Sequence, residues 1–111
     1  MADILGRGGP AETIGAAELE KLMRACAAQV PAGARRILLI PPDFSRFHSG
    51  AGEICAILYR ELCGSFQVDL LPALGTHRPM TVEEMATMFP GVPPARIHVH
   101  DWRGGIRQCQ A

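Results

Sequence analysis

Two short stretches hold the side chains that could do chemistry together. They are Pro41-Pro42-Asp43-Phe44-Ser45-Arg46-Phe47-His48 and Gly75-Thr76-His77-Arg78-Pro79. His77 is the best candidate for an acid or base, because an imidazole titrates near neutral pH. Gly75 lets the backbone turn sharply before it, and Pro79 stiffens the exit. A histidine bonded to loop backbone is the competing reading on position alone. Flanking Thr76 and Arg78 favour a site, since three polar side chains seldom crowd a strand end for packing. Asp43 and Arg46 stand three apart. The planar fork of an arginine suits a carboxylate or phosphate ligand, and a neighbouring aspartate can orient it or a cofactor hydroxyl. Spacing alone, however, favours a local ion pair or an Asp-initiated turn.

Each stretch follows an apolar run, Arg36 to Ile40 before the first and Phe66 to Leu74 before the second. In a parallel α/β sheet, ligands bind in the crevice outside the carboxyl ends of the strands. Both stretches would lie on that rim. Ile37 to Ile40 has no polar alternation, the pattern of a strand buried on both faces, and Pro41-Pro42 stops it. Ile97 and Val99 alternate with His98 and His100 in a third strand, less buried and at an edge. Two strand–helix–strand crossovers imply an α/β fold, a right-handed parallel βαβαβ (Rossmann-like) sheet with flanking helices.

The helices are legible from periodicity. Leu19, Leu22, Met23, Cys26 and Val30 form one face from Ala16 to Val30, ended by Pro31 and Gly33. Ser49 is a plausible N-cap for a helix from Gly50 to Leu62, with Ile54, Ile57, Leu58 and Leu62 as its stripe and Gly64 at its break. Thr81-Val82-Glu83-Glu84 has the form of a capping box and opens a short helix to about Phe89. Residues 1–13, rich in glycine, read as a flexible segment, leaving residues 14–111 as one α/β domain. The end of the chain, from Gly104, shows no capping helix, which suggests an incomplete amino-terminal portion of something larger.

Charge and composition exclude several classes. Eleven basic residues balance eleven acidic ones, so nucleic acid and anionic membrane are not expected partners. No apolar run approaches the ~20 residues of a membrane span, and the amino terminus lacks a secretory pattern. A cytoplasmic protein is the expectation. Cys26, Cys55, Cys63 and Cys109 fit neither a zinc spacing nor a disulfide framework, and Cys26 and Cys55 read as small core residues. His48 reads as a loop or cap residue, His98 and His100 as a solvent-facing edge, and Trp102 as packing on the sheet edge. Ser49-Gly50-Ala51-Gly52-Glu53 fails as a phosphate loop, because Cys55 stands where a third glycine is needed.

The two motifs, together with Leu71-Pro72-Ala73-Leu74 and His100-Asp101-Trp102-Arg103, resemble the N-terminal domain of the lactate racemase family from about residue 33 to 103. The resemblance implies a 2-hydroxy-acid racemase or epimerase using a nickel pincer nucleotide derived from nicotinic acid. It implies His77 as one of two acid/base histidines, Arg46 at the substrate carboxylate and Asp43 as its motif partner. Ser45, Gly75, Thr76 and Arg78 would line the substrate or cofactor. Ser45 replaces a threonine common in that motif and keeps the hydroxyl. The second histidine, the lysine bonded to the cofactor and the nickel ligand lie beyond the segment matched. The chain is therefore expected to be inactive alone, to hold no metal itself, and to need a C-terminal portion as partner. A non-catalytic α/β module binding a small anion or nucleotide at the Asp43–Arg46–His77 rim is the alternative. An interaction fragment with an open sheet edge is a third.

Overall fold

The computed structural model describes residues 8–11, 13–74 and 78–100. Gly75, Thr76 and His77, Trp102, Cys109 and the end of the chain lie outside the described residues, as does most of the expected flexible segment at residues 1–13. The elements run α1 (Ala16–Ala27), β1 (Arg36–Leu39), a 3-10 segment (Phe44–Ser49), α2 (Ala51–Leu62), β2 (Gln67–Leu70), α3 (Val82–Met88) and a 3-10 turn (Pro94–Arg96). This is a mixed α/β arrangement.

β1 and β2 pair in parallel, with Ile37 opposite Val68 and Leu39 opposite Leu70. Parallel strands need a crossover, and α2 supplies it. Pairing runs past the named strands, because proline lacks a donor but keeps its carbonyl. The Leu71 N–H donates to the Leu39 carbonyl at 2.9 Å and the Ala73 N–H to that of Pro41 at 2.8 Å, and Pro42 bridges Ala73. The consecutive prolines thus end the strand without ending the pairing.

The third strand expected at Ile97 to His100 is reduced to one parallel bridge, Leu70 to Ile97, so among the described residues the sheet has two strands and the full βαβαβ arrangement is not shown. The reason is local. With the His98 N–H on the Leu70 carbonyl at 2.8 Å, the next rung of a parallel ladder asks residue 72 to donate to the His98 carbonyl. Residue 72 is proline and has nothing to donate.

The core gathers where β2, α2, α3 and the 3-10 turn meet: Cys55, Leu70, Leu74, Met80, Met88, Phe89, Val92 and Ile97 form one buried cluster. Gly52 permits the closest approach there, since a Cβ at that position would collide with the Met88 carbonyl. α1 is shorter than its periodicity suggested and no residue of it is fully buried. It packs on α2, helped by surface ion pairs of Arg24 with Glu20 and Glu61 and of Arg60 with Glu20 at 2.6–3.0 Å. Cys26 is consequently exposed rather than a core residue, whereas Cys55 is buried as expected. The run Ile37 to Ile40 is not buried on both faces either: Leu38 is 52% and Ile40 64% exposed.

Candidate functional site at the carboxyl-end rim

Because β1 and β2 are adjacent and parallel, the segments after them emerge at the same end of the sheet. Asp43 follows β1 and is 6% exposed. It is the N-cap of the Phe44–Ser49 segment, its Oδ1 accepting from the Ser45 N–H at 3.2 Å and from the Ser45 hydroxyl at 2.5 Å. Ser, Asp and related side chains cap a helix this way because its first N–H groups have no partner within the helix. The Asp-initiated turn weighed from spacing is therefore present. The 3-10 segment is interrupted at Arg46 (φ −109°, ψ 29°), and Gly50, at φ +82°, turns the chain into α2. That left-handed conformation costs glycine little, and it makes Gly50 the N-cap of α2 in place of Ser49. The Ser49 hydroxyl still accepts from the Ala51 N–H at 3.2 Å.

On the β2 side, Arg78 donates to both oxygens of Glu84, at 3.0 and 3.3 Å, and to the Pro79 carbonyl at 3.2 Å. Glu84 is also the acceptor of the α3 capping box. The Thr81 N–H donates to it at 3.0 Å, while the Thr81 hydroxyl accepts from the Glu84 N–H at 3.1 Å. The Thr81 N–H first, and then the Arg78 guanidinium, hold the Glu84 carboxyl below the usual carboxylate range. Arg78 thus spends much of its donor fork on a structural carboxylate.

Asp43, Ser45 and Arg78 line one cleft of about 310 Å³ with Phe44, Met80 and Glu84. Three of the seven residues singled out from sequence are brought together there. Arg46 stands next to Ser45 on the exposed face of the 3-10 segment and is not among the lining residues. Among the described residues no side chain pairs with its guanidinium, and its backbone N–H donates to the Asp43 carbonyl at 3.0 Å. Gly75, Thr76 and His77 lie outside the described residues. His48 borders a separate depression with Phe47 and Gly50.

Sequence reasoning missed two features. Glu84 was legible as a cap, but its second role, binding Arg78 six residues earlier, needed the turn geometry. His98 and His100, expected together on one solvent-facing edge, part company. His98 lies 3.0 Å from Asp69, which also accepts from Arg96 and Gln67. His98 foremost, then Gln67, with Arg96 adding, hold the Asp69 carboxyl below its ordinary range. The His100 Nδ1 instead accepts from the Leu74 N–H at 3.3 Å.

Burial pushes the Cys55 thiol up to about 11, so it is no nucleophile near neutrality. Among the described residues no three His, Cys, Asp or Glu side chains are grouped to hold a metal ion. The chain's only lysine, Lys21, is on α1. No helix among the described residues is long and apolar enough to cross a membrane.

The fold and rim define a mixed α/β arrangement with a cleft, lined by Asp43, Ser45, Arg78 and Glu84 together with Phe44 and Met80, at the carboxyl ends of two parallel strands. No family model, curated protein or solved structure matches the chain.

Proposed function

We propose that this chain supplies the substrate-facing rim of a 2-hydroxy-acid racemase or epimerase. Arg46 takes the substrate carboxylate, and His77 moves the proton of the substrate hydroxyl. Asp43 and Ser45 hold the loop that presents Arg46. What supports the reading is that Asp43 and Ser45 follow β1 and Arg78 follows its parallel neighbour β2. Asp43, Ser45 and Arg78 border one cleft between them. The hydride acceptor, a nickel pincer nucleotide in the family resembled, and a second acid/base are assigned to a further, C-terminal portion of the protein. The free thiols Cys26, Cys55 and Cys63 suit a reducing, cytoplasmic setting.

A second reading, a module that binds a small anion without catalysis, draws on the same guanidinium of Arg46, which no side chain among the described residues pairs. Titration separates the two. D- and L-lactate, and separately inorganic phosphate, are added to the chain while backbone amides are followed by NMR. The racemase reading expects either lactate enantiomer to shift the amides of Ser45, Arg46 and residues 75–78, and expects Arg46→Ala to abolish the shifts. A response to phosphate alone establishes the module, and no response to either removes both. In an assembled, turning-over enzyme, His77→Ala lowers kcat by about 10²–10⁴-fold. Arg46→Ala chiefly raises KM, and Arg46→Lys rescues it only in part, because a point charge does not replace a fork.

A further inference from the structure

The bonds between β1 and β2 fix which way each β1 residue presents its backbone. The carbonyls of Arg35, Leu39 and Pro41 accept from the N–H groups of Gln67, Leu71 and Ala73, so the odd-numbered residues face β2. In a paired strand the residues between them face the other way. The N–H and carbonyl groups of Arg36, Leu38 and Ile40 therefore point to the outer edge of β1, where the described residues place no further strand. Such edges are commonly blunted by proline, a bulge or several charges, and the only charge over residues 36–40 is Arg36. The edge also has definite limits. Beyond Ile40 the next outward residue is Pro42, which has no N–H. Before Arg36 it is Ala34, whose N–H already donates to the Pro31 carbonyl at 3.0 Å. Ala34 and Pro42 are equally far from Leu38, so the open edge is symmetric about that residue.

We propose that this edge docks a second copy of the chain, the two β1 strands pairing antiparallel over residues 36–40 about a twofold axis at Leu38. In that register Leu38 faces its own counterpart and Arg36 faces Ile40 of the second copy. Every outward N–H then meets an outward carbonyl, with two bonds at each facing pair. Pro42 falls opposite Ala34, so no outward N–H is left over at either end. The side chains agree with the backbone. Leu38 and Ile40, 52% and 64% exposed, share one face of the sheet with Arg36, because alternate residues of a strand lie on the same face. Pairing brings the two Leu38 side chains together and lays the methylene stem of each Arg36 beside Ile40 of the other copy, its guanidinium still in water. Antiparallel strands keep the two Arg36 charges at opposite ends of the ladder, and a chain of zero net charge has no overall repulsion to overcome. So short a ladder buries little area, which places the dimer in the weak class that forms with rising concentration. None of this rests on the racemase reading.

The test uses this chain and needs no turnover. Sedimentation velocity from about 10 µM to about 1 mM should show a monomer giving way to a dimer across that range. Amide exchange followed by NMR reads the register. In dilute solution the Arg36, Leu38 and Ile40 amides should exchange about tenfold faster than those of Ile37 and Leu39, which pair with β2. In concentrated solution those three should slow about tenfold while Ile37 and Leu39 stay as they were. Leu38→Lys sets two like charges at the axis and leaves every bond to β2 in place. It should hold the chain monomeric throughout, with the circular dichroism and thermal midpoint of the dilute chain unchanged. A chain that stays monomeric, or a dimer whose three outward amides still exchange freely, overturns the proposal. So does a Leu38→Lys chain that dimerises as before. Slow exchange of the three amides already in the dilute monomer would mean that other residues of the chain cover the edge, and overturns it equally. Should Leu38→Lys fail to fold, the concentration dependence of those amides in the unmodified chain decides. Failure of lactate to bind would remove the racemase reading and leave these measurements standing.

Discussion

β1 and β2 are each four residues long, paired in register, and buried in inverse order to their hydrophobicity. β1 is Arg-Ile-Leu-Leu, yet its residues alternate between exposed and half-buried. β2 is Gln-Val-Asp-Leu, half polar, yet Val68 is 2% and Leu70 0% exposed. Position explains the inversion. β2 lies between β1 and the Ile97 bridge, with α2 and α3 contributing Cys55, Met88 and Phe89 to the cluster around Leu70. Among the described residues β1 has a strand partner on one side only, and Leu38 in it and Ile40 just after it are 52% and 64% exposed. Burial follows from how many layers an element touches, and a strand's own composition does not supply the layers.

The comparison is broken most directly by truncating one leucine in each strand. Leu70→Ala should destabilise by about 2–5 kcal/mol, the usual cost of a core leucine with its cavity. Leu38→Ala should stay within about 0.5 kcal/mol. Denaturant unfolding measures both, and equal costs would show that β1 is as much a core strand as β2. A smaller effect is expected where β1 meets the rim. Asp43→Ala removes the acceptor of two bonds from Ser45 and should cost about 1 kcal/mol. Asp43→Asn, which keeps an oxygen, should cost less. If Asp43→Ala is neutral, the buried rim owes nothing to this cap, and only β2 is anchored.

The smallest effect is a pH dependence on the β2 side. The folded chain raises the Cys55 thiol from 9.0 to about 11. Ionisation is thus easier in the unfolded chain, and the contribution to stability is complete below about pH 9 and lost as pH climbs toward 11. Cys55→Val, similar in volume, should flatten the fall of the thermal midpoint over that window relative to the unmodified chain. Equal slopes would place Cys55 in a wetter environment than Leu70 beside it.

Much of this protein was determined by residues acting on their near neighbours. The Thr81–Glu84 capping box, the ends of α2 and α3, the Asp43 turn and the parallel pairing of the two apolar runs were all legible, because each depends on contacts within a few residues or on crossover length. The approach of the segments after β1 and β2 to a common rim follows from the same reasoning. Tertiary structure decided the rest. Both α1 and α2 carry an apolar stripe, but only α2 found a sheet to cover, so Cys26 is exposed and Cys55 is not. The third strand failed because its register brought Pro72 opposite a carbonyl, a conflict no reading of residues 97–100 alone could reveal. The same register turned His100 toward Leu74 and left His98 to Asp69. Periodicity encodes what a segment prefers; which partner stands across from it is a property of the assembled chain.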